Sequence, residues 1–188
     1  MASAVTSPTR TSAPALSEVI DLKDDTAVAI RPIDVSDAFR LRRMFARLSP
    51  ETVYHRFFAP IPQPRDAMLN HLAGVDHDRR EALVATVGNE VVGVARYEGR
   101  PDSDEAEVAV TVEDAWQRRG LGTQLLAHLA RLGAQRGLHA FTAVVMGENT
   151  SAVRFLKRLS PDTDVHLEQG DWIVYAPVSR SAGRSTTR

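Results

Sequence analysis

Residues 105–137 read EAEVAVTVEDAWQRRGLGTQLLAHLARLGAQRG, and this stretch decides the fold. Up to Val112, valines and an alanine alternate with polar or small residues, which is typical of a β-strand. After Gly122, leucines recur at helical spacing, and Gly137 supplies a helix C-terminus. A strand therefore feeds a glycine-bearing loop that opens a helix. Such a loop directs several backbone N–H groups and the positive end of a helix dipole at one point. The sequence predicts an anion site there, for a phosphate or pyrophosphate.

Three phosphate-binding patterns compete for this loop. The dinucleotide pattern Gly-x-Gly-x-x-Gly fails because its third glycine would be Leu125. The P-loop pattern fails because no Gly-Lys-Ser or Gly-Lys-Thr triplet occurs in the chain. The third pattern, Gln/Arg-x-x-Gly-x-Gly/Ala, is matched without a gap by QRRGLG at residues 117–122. With this loop between a strand and a long helix, the chain resembles the GNAT superfamily of N-acetyltransferases, in which such a loop binds the pyrophosphate of acetyl-CoA. The alternative is a tight strand-to-helix turn that binds no ligand.

The composition bounds the class of protein. The chain has 188 residues, of which 43% are hydrophobic and 25% charged, as expected for one globular domain with a core. It contains no cysteine, which excludes a disulfide framework, a thiolate metal site and a cysteine-linked acyl-enzyme. We find no run of about 18 apolar residues and no hydrophobic secretory signal. We expect a cytoplasmic protein.

Both ends of the chain differ in composition from its middle. Residues 1–24 hold little that could form a core, and residues 179–188 carry three arginines among small and polar residues. We expect two disordered tails around one domain at residues 25–178. A tail with three arginines is too weakly charged to be a nucleic-acid arm, so neither a nucleic acid nor a membrane is predicted as a partner.

The order of elements along the chain is β-α-α-β-β-β-α-β-α-β-β, which is the GNAT order. This resemblance covers residues 27–177. It implies an α/β (α+β) fold whose mixed, mostly antiparallel central sheet has about seven strands and is flanked by about four helices. A closer resemblance rests on LSPETVYHRFF at residues 48–58, together with Ala106, Glu107 and Ala109. These residues resemble the catalytic domain of the bacterial Pat-type protein lysine acetyltransferases.

Acetyl transfer to an amine requires the neutral amine. A lysine with a pKa near 10.4 is only about 1 part in 2,500 neutral at pH 7, so a general base speeds the reaction. Glu107 is the candidate catalytic base, because it precedes the loop, faces away from the valines of its strand and has small neighbours. The resemblance also implies a glutamate base on this strand, as in several GNAT members. The alternative is a solvated strand glutamate like Glu105.

The same resemblance assigns the contacts of acetyl-CoA. The backbone of Val110, Thr111 and Val112 would pair with the pantetheine arm, much as an added strand pairs with a sheet edge. The pyrophosphate would be held by the residues of the loop, which are Gln117, Arg118, Arg119, Gly120, Leu121, Gly122 and Thr123. Asn149 would contact the CoA arm where the later helix begins, and a helix N-cap is its alternative role. The two arginines of the loop could equally be solvated.

One position departs from the family pattern. Many members have a tyrosine seven residues after this asparagine, which protonates the leaving thiolate, whereas this chain has Leu156. The acid could be replaced by Tyr54, Tyr97 or Tyr175, or the thiolate could leave without one. The Pat-type enzymes resemble this chain in lacking that tyrosine. The six histidines show no metal-ligand spacing, so no metal is predicted.

The sequence thus predicts an acetyl-CoA-dependent N-acetyltransferase of the EC 2.3.1 class, which transfers acetyl directly to a primary amine. A protein lysine is the favoured acceptor, and a small amine or an N-terminal amine is the alternative. Leu156 keeps open a third hypothesis, a non-catalytic acyl-CoA-binding module that regulates a partner. Neither the acyl-chain preference nor the choice between monomer and homodimer can be predicted from the sequence.

Overall fold

The computed structural model describes residues 17–160 and 162–178, which contain one eight-stranded sheet. In chain order its strands are β1 (Glu18–Asp21), β2 (Ala27–Pro32), β3 (Arg80–Val87), β4 (Glu90–Gly99), β5 (Glu105–Val112), β6 (Ala140–Met146), β7 (Asp164–Glu168) and β8 (Asp171–Pro177). Their order across the sheet is β1-β2-β3-β4-β5-β6-β8-β7. All neighbouring strands are antiparallel except β5 and β6, which run parallel.

Helices cover both faces of this sheet. In the described residues they are α1 (Ala38–Arg47), α2 (Pro50–Phe57), α3 (Asp66–Ala73), α4 (Leu121–Gln135) and α5 (Thr150–Leu159). Helix α4 packs Leu125 and Leu129 on one face. Helices α1 and α3 pack Leu41, Met44 and Leu69 on the other face. No helix in this part of the chain is long and apolar enough to cross a membrane.

Strand β3 shows why the middle of the sheet is buried on both sides. Its residues alternate between the two cores, with Ala82 and Val84 against α1 and α3, and Leu83 and Ala85 against α4. All four side chains are fully buried. A strand covered on both faces has a nearly continuous apolar sequence, which is what residues 82–85 show.

The predicted fold class is confirmed, with eight strands and five helices where about seven and about four were expected. The added helix is α3, and the added strand is β1, which lies in the segment predicted to be a disordered tail. Because β1 pairs with β2 and Leu22 is only 5% exposed, the predicted domain boundary at residue 25 is corrected to residue 18 or earlier. The rest of the two predicted tails, residues 1–16 and 179–188, lies outside the described residues.

Helix α2 begins as its sequence predicts. Ser49 caps the helix by accepting a hydrogen bond from the backbone N–H of Thr52, and Pro50 occupies the first turn, where its missing N–H costs nothing. The helix ends at Phe58, which has a left-handed φ of 56°. This short helix brings Arg56 next to β5, where the sheet opens.

Candidate active site

The central feature of the site is a fork between two strands. Residues 105–107 of β5 lie opposite residues 140–142 of β6. Beyond Glu107, no described strand pairs with the edge of β5 that faces β6. The opposite edge of β5 stays paired with β4 as far as Val112. One edge of residues 108–112 therefore pairs with no other described strand, and at its end the Val112 carbonyl oxygen accepts a hydrogen bond from Gln117 Nε2. Backbone groups on a free strand edge can bond an extended ligand as they would bond another strand.

A cleft of about 1320 Å³ occupies this fork. This volume exceeds the roughly 300–1,000 Å³ of ordinary small-ligand pockets, so the cleft has room for a long cofactor and part of an acceptor. Its walls come from β5, the loop before α4, the start of α5, and α2. Most of the predicted site residues line it: Glu107, Val110, Thr111, Val112, Gln117, Arg118, Gly120, Gly122, Thr123 and Asn149.

The loop between β5 and α4 has the shape of an anion site. Arg118 and Gly120 adopt left-handed φ values of 60° and 95°, and such turns point successive N–H groups to one side. The backbone N–H groups from Arg118 to Thr123 donate no hydrogen bond to another described residue. These free donors lie at the N-terminus of α4, a helix of 15 residues. A pyrophosphate fits such a set of donors and such a dipole.

Gln117 fixes the start of this loop through its side chain. Its Nε2 donates to the carbonyl oxygen of Val112 at 3.1 Å and lies 3.2 Å from the Thr52 hydroxyl. The first bond holds the loop to the end of β5, and the second ties it to α2. Its Nε2 is thus already bonded within the protein, and Gln117 still lines the cleft, so its contact with the cofactor stays a prediction.

Arg119 and Leu121 turn away from the cleft. Arg119 donates to Asp24 at 2.7 Å and to Thr26 at 2.6 Å, and its guanidinium stacks 4.3 Å from the centre of the Trp116 ring. Leu121 is 1% exposed in the core beneath the loop. For both residues only the backbone N–H is free for the predicted role.

Lys23 lies beside the loop and lines the cleft, although the sequence had placed it in a tail. It occupies the turn between β1 and β2, and its backbone N–H lies 3.5 Å from the Arg119 carbonyl oxygen. Its side-chain carbons lie 3.7–3.8 Å from where a Cβ on Gly120 would be. A cation in a turn between two short strands gives no local signal, so sequence reasoning could not find it.

Glu107 lies at the base of the fork, on the sheet face that α2 covers. Its register partners are Glu98 on β4 and Thr142 on β6, and its side chain is exposed to the cleft. The Thr142 hydroxyl is buried and has no hydrogen-bond partner among the described residues. The fork therefore places an exposed carboxylate of β5 opposite a buried, unpaired hydroxyl of β6.

Asn149 is the N-cap of α5. Its Oδ1 accepts a hydrogen bond from the backbone N–H of Ala152 at 3.1 Å, so the capping role is present. The residue also lines the cleft, and its side-chain N–H groups are not used by the cap. Leu156, which lies further along α5, also lines the cleft. The described residues contain no group of three His, Asp or Glu side chains that could hold a metal ion.

None of the three tyrosines lines the cleft. Tyr97 is 1% exposed in the core under α4, and its hydroxyl accepts from Arg136 at 2.7 Å and donates to the Asp78 carbonyl at 3.2 Å. Burial raises the pKa of Tyr97, although Arg136 opposes this. Tyr54 and Tyr175 are about 40% exposed on the surface. The described residues thus offer no tyrosine in place of the one that Leu156 replaces.

Arg56 is the second cation that sequence reasoning missed. It belongs to the motif at residues 48–58, for which no role of this residue was predicted, yet its side chain lines the cleft near Glu107. Burial, with repulsion from Arg96, lowers the pKa of its guanidinium to about 10, and the charges of Glu107 and Glu98 oppose this shift. An arginine within an aromatic segment is the only local signal that this residue offers.

The family is decided by a model of the Acetyltransferase (GNAT) family, which matches residues 41–160. The chain belongs to the GNAT family. Among curated proteins, this GNAT chain is 32% identical over 159 residues to Acetyltransferase PA5475 of Pseudomonas aeruginosa, covering 79% of the chain and 86% of that protein. Among solved structures, it is similar to the GNAT domain of Streptomyces lividans PAT, with a TM-score of 0.80, 32% identity, and coverage of 86% and 96%.

A third similarity shows the fold alone. The yncA structure from Salmonella typhimurium, solved with its cofactor acetyl-CoA, is 20% identical, with a TM-score of 0.65 and coverage of 86% and 100%. The GNAT fold and the similarity to Pat-type acetyltransferases are thus confirmed. The chain is an acyltransferase of the EC 2.3.1 class, and the hypothesis of a non-catalytic module is set aside.

Proposed function

We propose that this GNAT enzyme transfers the acetyl group of acetyl-CoA directly to a primary amine, and that the acceptor is a protein lysine. One observation carries the proposal: Glu107 lines the same cleft as Arg118, Gly120, Gly122 and Thr123 of the loop, whose backbone N–H groups are free. A carboxylate that can accept a proton and a set of donors for a pyrophosphate are therefore joined by one free strand edge. The resemblance of residues 48–58 to the Pat-type protein lysine acetyltransferases, together with the similarity to S. lividans PAT, supports the lysine as acceptor.

The loop would hold acetyl-CoA by its pyrophosphate, and the free edge of residues 108–112 would bond the pantetheine arm. Acetyl-CoA supplies a thioester whose carbonyl carbon is open to attack by the amine nitrogen. In the proposed transfer the new C–N bond forms, the C–S bond breaks, and the amine loses one proton. Glu107 would accept that proton, directly or through a water molecule.

The proton that the leaving thiolate takes up is not assigned to a side chain, because Leu156 stands where many GNAT members have a tyrosine. A thiol with a pKa near 8.5 is a good leaving group, so the reaction can proceed with a proton from water. A cytoplasmic location stays a prediction from the sequence.

The test of this proposal is the variant Glu107→Gln, which keeps the size of the side chain but cannot accept a proton. Its kcat at pH 7 should fall by a factor on the order of 10² to 10⁴, the usual contribution of a general base. Raising the pH should recover much of this loss, because more of the amine is then already neutral. Calorimetry should show an unchanged affinity for acetyl-CoA.

Glu105→Gln is the matched control, since Glu105 lies two residues earlier on β5 and does not line the cleft. It should leave kcat unchanged. A Glu107→Gln enzyme as active as the parent at pH 7 would show that Glu107 is a solvated glutamate. A variant equally slow at every pH, with altered cofactor affinity, would show that Glu107 shapes the site and that the base is elsewhere. Acetylation of small amines but not of lysine side chains would replace the proposed acceptor.

A further inference from the structure

Arg56 is a cation with which no carboxylate of the described residues pairs. Its side chain lies between the cleft and a small apolar cavity that is lined by Leu41, Met44 and Val94. Among the described residues, none forms a hydrogen bond or salt bridge with its guanidinium. The ring of Phe57, whose centre lies 4.8 Å from the guanidinium carbon, offers a weak cation–π contact.

An unpaired guanidinium in such a place is unfavourable, because a charge removed from water is normally paired and hydrogen-bonded. Burial of Arg56 lowers the pKa of its guanidinium, but only to about 10, so the group is still charged at neutral pH. The side chain, which is half-buried and lines the cleft, thus stays a cation that forms no ion pair with a described residue.

The carboxylates nearby do not pair with Arg56. Glu98 accepts a hydrogen bond from Arg96 at 2.9 Å, and its Oε1 also lies 3.8 Å from Arg80 Nε. Glu107 acts on Arg56 only through space. Glu51, Asp114 and Glu148 also line the cleft, but none of them bonds to Arg56. Arg56 is therefore a guanidinium near Glu107 to which no carboxylate of the described residues is bonded.

We infer that Arg56 binds a carboxylate of the acceptor, so that the enzyme selects an amine with an acid group beside it. This inference rests on the proposed function, in which Glu107 receives the amine. A guanidinium matches a carboxylate with two parallel hydrogen bonds, so the pair would fix the orientation of the acceptor as well as its charge. The carboxylate can belong to an Asp or Glu next to a protein lysine, or to a small amino-acid acceptor.

The test compares acceptors that differ in one charge. Blocked peptides Gly-Glu-Lys-Gly and Gly-Gln-Lys-Gly form one pair, and Nα-acetyl-lysine with its amide forms the other. The full-length parent, Arg56→Gln and Arg56→Lys are each assayed for kcat/KM by CoA release. Arg65→Gln is the control, since Arg65 is an exposed arginine that precedes α3 and does not line the cleft. Calorimetry also measures the affinity of each acceptor for the CoA-saturated protein, which cannot react.

The parent should favour the acid over its amide by about tenfold or more, as expected for a hydrogen bond between charged groups. Arg56→Gln should abolish this preference, Arg56→Lys should keep part of it, and Arg65→Gln should keep all of it. The pair that shows the preference identifies the source of the carboxylate. If the parent shows the same kcat/KM and the same affinity for the acid as for its amide, the inference is wrong.

The other outcomes separate this inference from the proposed function. An Arg56→Gln enzyme that slows both members of a pair equally would mean that Arg56 acts on Glu107 or on acetyl-CoA, which also overturns the inference. A preference that survives Arg56→Gln would place the carboxylate elsewhere, with the same consequence. If no acceptor is turned over but the CoA complex still prefers the acid through Arg56, the proposed lysine acceptor fails and the role of Arg56 stands.

Discussion

At the scale of single residues, Gly120 could be required in the cofactor loop for either of two reasons: its backbone conformation or the close approach of a ligand. Its φ of 95° is left-handed, which strains any residue with a Cβ, but a Cβ there would meet nothing closer than 3.7 Å. The space beside Gly120 is therefore open, and the predicted need for glycine must come from its conformation or from the approach of a pyrophosphate.

We expect Gly120→Ala to lose about 1 kcal/mol of stability, because an alanine is strained in this conformation. Acetyl-CoA affinity should fall about tenfold or more if a backbone donor is displaced. Gly120→Asn is the matched variant, since asparagine tolerates a left-handed φ better. Thermal melts and calorimetry on both variants decide the question. Loss of affinity in both indicates close approach, whereas loss in the alanine variant alone indicates conformation.

Asp37 shows how a single buried charge holds the first helix in place. It is 0% exposed and accepts hydrogen bonds from Arg31 at 2.7 and 2.8 Å, from Arg40 at 3.0 Å and from the Asp34 N–H at 2.9 Å. Burial raises the pKa of the Asp37 carboxyl, but the bonds from Arg31, Asp34 and Arg40 outweigh it, so the pKa lies below its usual value of 3.8.

Asp37→Asn should therefore cost about 3 kcal/mol at pH 7, since it leaves two arginines without their partner. Because the folded pKa is depressed, the contribution of Asp37 is complete above about pH 4 and is lost as the pH falls through the folded value. Denaturant unfolding at several pH values should show the two proteins differing most near neutrality and converging in acid. A constant difference at all pH values would contradict the charge-based explanation.

At the scale of elements, Asp114 ties helix α2 to the cofactor loop. Its carboxylate accepts from the Ser49 N–H at 2.8 Å, the Ser49 hydroxyl at 2.7 Å and the Thr52 hydroxyl at 2.8 Å. Thr52 in turn contacts Gln117, where the loop begins. The start of the helix that carries Arg56 is thus anchored to the segment that would hold acetyl-CoA.

We expect Asp114→Ala to loosen α2 at a cost of about 1 kcal/mol, the usual effect of losing a helix cap. The acetylation rate should fall more than acetyl-CoA affinity, because the loop keeps its bond from Gln117 to Val112. Asp66→Ala is the control, as Asp66 lies in the first turn of α3 and forms an exposed ion pair with Arg42. Equal rates for the parent and Asp114→Ala would show that α2 needs no such anchor.

Some elements carry local sequence signals that specify them without distant partners. The hairpin of β3 and β4 has a two-residue turn at Gly88 and Asn89, and α2 has its cap at Ser49. Strand β1 was missed because its four residues carry no pattern of their own and are held by pairing with β2. Short segments whose order depends on distant partners give no periodic signal.

The residues of the site show the same difference between local signals and contacts with distant partners. The loop follows from one motif and Glu107 from the alternation of one strand, whereas Asn149 follows from the resemblance to the GNAT superfamily; Glu107, Asn149 and most of the loop line the cleft. The side chain of Arg119 was expected to contact a CoA phosphate or to be solvated, but it bonds instead to Asp24, 95 residues away in sequence. Local reasoning lists the charged groups near a ligand and cannot tell which of them the protein itself already pairs.

At the scale of the whole molecule, the β1–β2 hairpin and the cofactor loop form one unit, although Asp24 and Arg119 are 95 residues apart in sequence. Asp24 and Thr26 hold Arg119, Lys23 lies against Gly120, and Glu18 Oε2 lies 2.9 Å from His128 Nε2 on α4. The hairpin thus braces both the loop and the helix that follows it.

Trimming the chain tests this unit. A chain of residues 17–178 should melt cooperatively and bind acetyl-CoA like the full chain, because the composition of the two ends predicts that they are dispensable. A chain of residues 25–178 lacks β1 and Leu22. The burial of the Leu22 side chain alone contributes about 2 kcal/mol to the free energy of unfolding. It also lacks Lys23 and Asp24, so its acetyl-CoA affinity should fall about tenfold. Thermal melts and calorimetry on both chains measure the two effects. If the shorter chain matched the longer one in both, the contacts of the hairpin with the loop would be incidental, and the boundary at residue 25 would be restored.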